Sequence, residues 1–183
     1  MRIIGGKHRG TKLYTLEGEN TRPTLDRVKE PLFSILNFDI PNAVILDLFA
    51  GSGALGLESI SRGARKVYLC DKSSQAIHII KKNVEKLKSN ADITIINKDY
   101  LKALESLNEK IDIVFLDPPY MTDFAEKACE KIIQNDLLSE DGIIVIETDR
   151  KDELVKNITK SDMFDIFDER KYGRAELLFL RKK

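Results

Sequence analysis

The sequence predicts an α/β fold whose sheet is mostly parallel and covered by helices on both faces. Short apolar runs typical of buried strands alternate with segments whose apolar residues recur at helical spacing. The predicted strands are 43–49, 66–70, 93–97, 111–116 and 143–147, and the helices between them are 54–62, 74–88, 100–107 and 123–135. This alternation indicates parallel strands joined by helices.

The C-terminal segment departs from the alternation. A helix is expected at 151–160, and strands at 164–167 and 175–180 follow without a clear helix between them. Strands joined in this way run antiparallel, so the sheet is expected to end in a hairpin.

An N-terminal extension, residues 1–38, is expected to precede the main domain, residues 39–183. Partial alternation at 12–16 indicates a small strand or a hairpin. Helical spacing at 25–38 is interrupted by Pro31, so this helix is expected to start near the proline or to kink there.

Composition narrows the class of protein. With 183 residues the chain can form one α/β domain with a proper core. It has no apolar run near the roughly 20 residues of a membrane span. Its two cysteines lack the spacing of metal ligands, and Cys70 lies in a strand pattern. We therefore expect a cytoplasmic protein without disulfides, metal or membrane attachment.

Charge is unevenly distributed. The 30 basic and 30 acidic residues cancel, which argues against bulk nucleic-acid binding. However, residues 1–16 contain no acid and four bases, namely Arg2, Lys7, Arg9 and Lys12. These four side chains are candidates for contacts to phosphates, although terminal charges can also serve solubility alone.

A glycine-rich turn follows the first predicted strand of the main domain. The apolar run that begins at Val44 contains Asp47 and meets three glycines, Gly51, Gly53 and Gly56, where the predicted helix begins. Glycines allow a ligand to approach the backbone closely, and the helix N-terminus offers free N–H groups. This pattern predicts a nucleotide-type cofactor, although a glycine turn can also simply connect a strand to a helix.

Two acids refine this prediction. Asp71 closes the next strand, twenty residues after Gly51, where a carboxylate can accept the hydroxyls of a ribose. Asp47 would repel a pyrophosphate and would suit a cofactor with a cationic amino group, such as S-adenosylmethionine.

A second motif, Asp117-Pro118-Pro119-Tyr120, follows the strand predicted at 111–116 and should lie at the same sheet edge. The stiff loop could present the Asp117 carboxylate and the Pro118 carbonyl as two acceptors for an exocyclic NH2 group. Tyr120 offers a face for base stacking, worth roughly 1–3 kcal/mol. The alternative interpretation is that the segment is only a rigid turn after the strand and that Tyr120 has no role in binding.

Both motifs together resemble those of amino-group methyltransferases that use S-adenosylmethionine. The segments 2–10 and 22–30 resemble the bacterial RsmD family, which methylates the N2 amino group of a guanine in 16S ribosomal RNA. The resemblance extends from Arg2 to the segment 172–179. It implies a Rossmann-like class I S-adenosylmethionine-dependent methyltransferase fold with a seven-stranded sheet, and 16S ribosomal RNA, within a small-subunit particle, as the partner.

The resemblance also implies roles for individual residues. The methionine part of the cofactor would contact Asp47 and the turn, and the ribose would contact Asp71. The adenine would lie against Lys72, Asp99 and Tyr100. Arg22 and Thr24 would close over the cofactor carboxylate. Asp99 and Thr24 also suit helix N-caps. The implied cofactor-binding residues are Asp47, Phe49, Ala50, Gly51, Ser52, Gly53, Asp71, Lys72, Asp99, Tyr100, Arg22 and Thr24, and the catalytic ones are Asp117, Pro118, Pro119 and Tyr120.

Three alternatives remain open from the sequence. The motifs also fit an N-methyltransferase acting on adenine or cytosine in DNA, or on a protein glutamine. A nicotinamide-dependent dehydrogenase would use the glycine turn but would leave the Asp-Pro-Pro-Tyr motif unexplained. A non-catalytic RNA-binding module could retain the fold, although the intact acids argue against it.

Overall fold

The computed structural model describes residues 1–16, 23–89, 91–119 and 121–183, with the backbone alone for residues 23–27. In these ranges seven strands form one sheet in the order β3-β2-β1-β4-β5-β7-β6. The strands are β1 Val44–Asp47, β2 Lys66–Cys70, β3 Asp92–Ile96, β4 Ile111–Leu116, β5 Leu138–Thr148, β6 Phe164–Tyr172 and β7 Ala175–Lys182. The first five strands are parallel, and β7 runs antiparallel to both β5 and β6.

Helices cover both faces of the sheet. They are α1 Pro23–Ile35, α2 Ala54–Ser61, α3 Ser74–Leu87, α4 Tyr100–Ser106, α5 Phe124–Gln134 and α6 Lys151–Ser161. One apolar layer contains buried side chains of α1, α2 and α3, and the other contains those of α4, α5 and α6. The predicted α/β architecture with a mostly parallel sheet and a C-terminal hairpin is therefore confirmed.

The N-terminal extension is part of the same core. Ile3 and Leu13 are buried in the apolar layer that also contains Val28, Leu32 and Phe33 of α1. Residues 1–13 fold back as a hairpin, closed by an isolated antiparallel bridge between Arg2 and Lys12. Lys12 and Leu13 thus belong to a hairpin, one of the two expected arrangements, and residues 12–16 form no strand beyond this single bridge.

Some element boundaries differ from prediction for identifiable reasons. Helix α1 begins at Pro23 and continues through Pro31, so a start near Pro31 is wrong. A proline removes one backbone hydrogen bond, and the burial of α1 against the core compensates for this loss. Strand β6 extends to Tyr172, beyond the predicted end at residue 167. Its second half is polar, so the sequence carries no apolar pattern that would indicate a strand there. Strand β5 begins at Leu138, five residues before the predicted start.

Two sequence expectations concern isolated features. Cys70 and Cys129 are both buried free thiols, and Cys70 belongs to the core as expected. Among the residues described, no helix has both the length and the apolar character needed to cross a membrane.

Candidate active site

A cleft of about 710 Å³ opens at the carboxyl ends of the central strands. Strand β1 lies between β2 and β4, and the direction of strand order reverses between β1 and β4. Open parallel sheets bind ligands at this reversal, and the volume is in the range of cofactor sites. Residues of both sequence motifs line this one cleft.

The three glycines of the turn have different structural roles. Gly51 has a φ of 54°, lines the cleft, and a Cβ placed on it would meet no atom within 4 Å. Gly53 has a φ of 80° and precedes α2, but it does not line the cleft. A Cβ on Gly56 would lie 2.3 Å from Cδ2 of Leu69, so this glycine lets α2 pack against β2. Gly51 alone therefore offers open backbone to a ligand.

Asp47 lies at the end of β1 and is only 3% exposed, yet it lines the cleft. Its Oδ2 accepts a hydrogen bond from the backbone N–H of Gly56 at 3.1 Å. Burial raises the pKa of Asp47 to about 7; the Gly56 N–H opposes this shift, and the nearby Asp71 adds to it. A cation bound in the cleft would favour the ionised carboxylate.

Asp71 is held by backbone on both of its oxygens. Oδ2 accepts from the N–H of Gly51 at 2.9 Å, and Oδ1 accepts from the N–H of Ser73 at 2.8 Å. A carboxylate has about four acceptor positions, so two further donors, such as ribose hydroxyls, can still bind. The same bonds fix the glycine turn against the start of α3.

An aromatic group forms another wall of the cleft. The ring of Tyr100 lies 4.8 Å from that of Phe124 and 5.4 Å from that of Phe49, measured between centroids, and all three residues line the cleft. Such a wall can receive a flat purine. Phe124 was missed by sequence reasoning, because an aromatic residue at a helix start is indistinguishable from a core residue.

Two polar residues border this wall. Asp99 lines the cleft and also caps α4, since its Oδ1 accepts from the N–H of Leu101 at 3.1 Å. Asp99 therefore lies both at the start of a helix and at the cleft, as the sequence led us to expect. Lys72 is exposed and lines the cleft between Asp71 and Ser73.

The proline loop shares the cleft with the glycine turn. Phe115 of β4 pairs with Asp47 of β1, and Asp117 follows two residues later at the same sheet edge. Asp117, Pro118 and Pro119 line the cleft that Gly51 also lines. The carbonyl of Pro119 accepts a hydrogen bond from the hydroxyl of Thr122 at 2.7 Å, which closes the turn.

The remaining predicted site residues fall into three groups: outside the described residues, lining the cleft, and away from it. Arg22 and Tyr120 lie outside the described residues, as does the side chain of Thr24. Phe49, Ala50 and Ser52 line the cleft as expected. The four basic candidates Arg2, Lys7, Arg9 and Lys12 are exposed and do not line it. Met1, Thr15 and Leu16 do line it, which the sequence did not indicate.

The N-terminal hairpin is anchored beside the cleft. The backbone N–H groups of Ile4 and Gly5 donate to the Glu58 carboxylate of α2, each at 2.8 Å. Glu58 also pairs with Lys29 of α1 at 3.0 Å, and both side chains are fully buried. Lys29 donates in addition to the carbonyl of Arg2 at 2.8 Å.

The side chains present suit S-adenosylmethionine. A buried carboxylate faces the cleft where a cationic amino group would bind, a second carboxylate with open acceptor positions suits a ribose, and an aromatic wall suits adenine. Among the described side chains, no group of three or more His, Cys, Asp or Glu is placed to hold a metal ion.

Comparisons with known proteins agree with this arrangement. A Haemophilus influenzae protein named Ribosomal RNA small subunit methyltransferase D is 40% identical over 158 residues, which are 85% of this chain and 82% of that protein. Its Escherichia coli K12 namesake is 36% identical over 149 residues, 81% and 75% of the two chains. A solved Escherichia coli structure, provisionally described as methyltransferase yhhF, matches with a TM-score of 0.87 at 31% identity and covers 100% of this chain and 98% of that one.

The structural match confirms the expected Rossmann-like methyltransferase fold. The family model described as Conserved hypothetical protein 95 matches residues 1–181. The chain therefore belongs to this family, which is the RsmD family that its motifs resemble.

Proposed function

We propose that the protein uses S-adenosylmethionine to methylate the exocyclic N2 amino group of a guanine in 16S ribosomal RNA. The observation that carries this proposal is the shared cleft, in which Asp117 and Pro118 lie with Asp47, Gly51 and Asp71. Relatives named for methylation of small-subunit ribosomal RNA support the substrate class. The guanine N2 position rests on the motifs of the RsmD family.

The cofactor side of the cleft supplies binding and orientation. When bound, S-adenosylmethionine provides a methyl group made electrophilic by its sulfonium. Asp47 would hold the cationic amino group, and Asp71 would hold the ribose hydroxyls. The wall of Phe49, Tyr100 and Phe124 would bury the adenine and exclude water from it.

The proline loop would position the amine. A base amine is a poor nucleophile, because its lone pair is delocalised into the ring. Hydrogen bonds from the NH2 group to the Asp117 carboxylate and the Pro118 carbonyl would direct that lone pair toward the methyl group. Alignment of this kind can supply several kcal/mol. Asp117 would also accept the proton that the amine releases, directly or through water.

The site also constrains the RNA. A guanine within a duplex cannot reach the loop, so the target must be unpaired or flipped out. The exposed Lys and Arg side chains of the N-terminal hairpin would contact the RNA backbone. This part of the affinity for RNA would weaken as the salt concentration rises. The substrate would be 16S ribosomal RNA within a small-subunit particle, in the cytoplasm.

Substitution of the loop carboxylate tests the mechanism. We expect Asp117→Ala to lower turnover by about 10²–10⁴-fold, while S-adenosylhomocysteine binding stays within roughly tenfold, because the lost contacts are to the reacting base. Asp141→Ala is the matched control, since Asp141 is exposed, lies in β5 between Leu138 and Ile143, and does not line the cleft. Near-normal turnover of Asp117→Ala would show that the proposed mechanism is wrong.

A separate experiment identifies the substrate. Small subunits from a strain lacking the gene should accept label from S-adenosylmethionine, and mass mapping of their 16S ribosomal RNA should show the loss of one N2-methylguanine. Labelling of DNA or of protein in place of ribosomal RNA would overturn the assignment of substrate.

A further inference from the structure

Helix α3 carries a cluster of exposed basic side chains that have no role in the proposed cofactor site. Residues 1–16 and 72–88 together contain nine Lys or Arg and one acid, Glu85, in a chain whose total charge is zero. Exposed lysines lie in the second half of the helix and just after its end, namely Lys81, Lys82, Lys86 and Lys88. None of these four forms an ion pair with another described residue. The remaining residues of the chain carry 21 Lys or Arg and 29 Asp or Glu, so these two segments hold an excess of positive charge.

The N-terminal hairpin and α3 form one continuous surface. The buried Asn83 of α3 accepts from the N–H of Tyr14 at 2.7 Å and donates to the carbonyl of Tyr14 at 3.0 Å. It also donates to the carbonyl of Ser52 in the glycine turn at 2.9 Å. The ammonium of Lys86 lies 4.5 Å from the centroid of the Tyr14 ring, which is 49% exposed. The hairpin is therefore fixed on α3 beside the cofactor turn.

The arrangement of these charges is unfavourable for the protein alone. Arg2 and Lys12 are directly opposite each other in the hairpin bridge, and both are exposed. Lys82 and Lys86 are four residues apart on one face of α3. Like charges at both kinds of position repel. A polyanion lying across the surface would relieve both repulsions at once.

The surface also leads to the cleft. Ser73 and Ala76 at the start of α3 line the cleft, as do Thr15 and Leu16 just after the hairpin. At 1.5 Å per residue, Lys82 and Lys86 lie about 9 and 15 Å along the helix from Ala76. A strand whose nucleotide enters the cleft can therefore place neighbouring phosphates over these lysines.

We propose that Arg2, Lys12, Lys82 and Lys86 form a basic track that binds the sugar–phosphate backbone of RNA next to the target nucleotide. The proposal rests on the proposed function, because it takes RNA as the substrate. Within the track, the Tyr14 ring holds the Lys86 ammonium in place by a cation–π contact. The bound backbone would bring the target base to the cleft, and the contacts would be independent of base sequence.

Neutralising the two helix lysines tests the track. We expect Lys82→Gln with Lys86→Gln to raise the Kd for deletion-strain small subunits and for protein-free 16S ribosomal RNA about tenfold at low salt. Between about 50 and 200 mM salt, the slope of log K against log salt should decrease by about 1 for each lysine. The KM for RNA should rise while kcat stays near that of the wild type.

The matched control is Lys156→Gln with Lys160→Gln on α6. These lysines are also exposed and four residues apart, but α6 packs on the opposite face of the sheet. The control should keep the wild-type Kd and salt slope. Both double variants should bind S-adenosylhomocysteine normally. The α3 variant should keep a Tm near that of the wild type, because the removed repulsion offsets the lost contact between Lys86 and the Tyr14 ring.

Two results would overturn the track. One is an α3 variant whose Kd and salt slope match those of the control. The other is weaker binding to subunits with unchanged binding to protein-free RNA, which would assign the surface to an acidic ribosomal protein. Failure of the wild-type protein to methylate the subunits at all would instead refute the proposed function.

Discussion

Asp47 is both buried and directed at a cleft, and these two properties act on its charge in opposite directions. Burial raises its pKa to about 7 from the 3.8 of an exposed aspartate. A bound cation would stabilise the ionised form and lower the pKa again. Cofactor binding and proton release at this residue should therefore be linked.

This linkage predicts how cofactor affinity depends on pH. Below pH 7 the Asp47 carboxyl holds a proton that must leave before it can pair with the amino group of the ligand. The Kd of S-adenosylhomocysteine should thus rise by up to about tenfold for each pH unit below 7 and be nearly constant above it. Calorimetry between pH 6 and 8, in buffers of different ionisation enthalpy, measures both the Kd and the proton released.

Asp47→Asn is the control for this linkage. It should bind S-adenosylhomocysteine weakly and without the pH dependence. The folded protein binds more protons than the unfolded chain between pH 3.8 and about 7, so the contribution of Asp47 to stability is present below 3.8 and lost as pH rises through 7. At pH 8 the Asn variant should therefore be more stable than the wild type, by about 2–4 kcal/mol. A wild-type Kd that is flat from pH 6 to 8 would contradict the linkage.

At the scale of elements, a single buried carboxylate connects three segments. Glu58 of α2 receives the backbone of the N-terminal hairpin and pairs with Lys29 of α1, and neither side chain is exposed. Removal of one partner of a buried pair leaves a charge in an apolar environment without its counterion. The pair therefore determines where the hairpin and α1 lie relative to the cleft.

We expect Glu58→Ala to lower the free energy of unfolding by about 3–5 kcal/mol, measured by urea denaturation. Lys127→Ala is a suitable comparison, because its ion pair with Asp123 joins two residues four apart and both of its side chains are exposed. That change should cost less than about 1 kcal/mol. Similar losses in both variants would mean that Glu58 does not anchor the hairpin.

The predictability of the elements follows the burial of their side chains. The predicted bounds of β1, β2 and β4 agree with the structure to within two residues, because most of their side chains are apolar and buried. The second half of β6 and residues 139–141 of β5 are polar, and the formation of these strand segments depends on the neighbouring strands β7 and β4. A local pattern carries no information on such pairing.

At the scale of the whole molecule, topology made the position of the cleft predictable. One strand ends in Asp47 and another just before Asp117, so parallel pairing of the two had to place both acids at one edge of the sheet. The contributions of Phe124, Thr15 and Asn83 could not be predicted in this way. Each depends on how a helix or the hairpin packs across the sheet, and such packing leaves no local pattern.

The cleft joins both helical layers, and this predicts a large effect of cofactor on global stability. Ala54 and Ala76 belong to helices on one face, and Tyr100 and Phe124 to helices on the other, and all four line the cleft. S-adenosylhomocysteine at about 100 times its Kd should stabilise the fold by about 2.7 kcal/mol. For a chain of this size, Tm should rise by about 5–10 °C. NAD at the same concentration should leave Tm unchanged, because its pyrophosphate would meet Asp47. A shift with NAD and none with S-adenosylhomocysteine would refute the cofactor assignment.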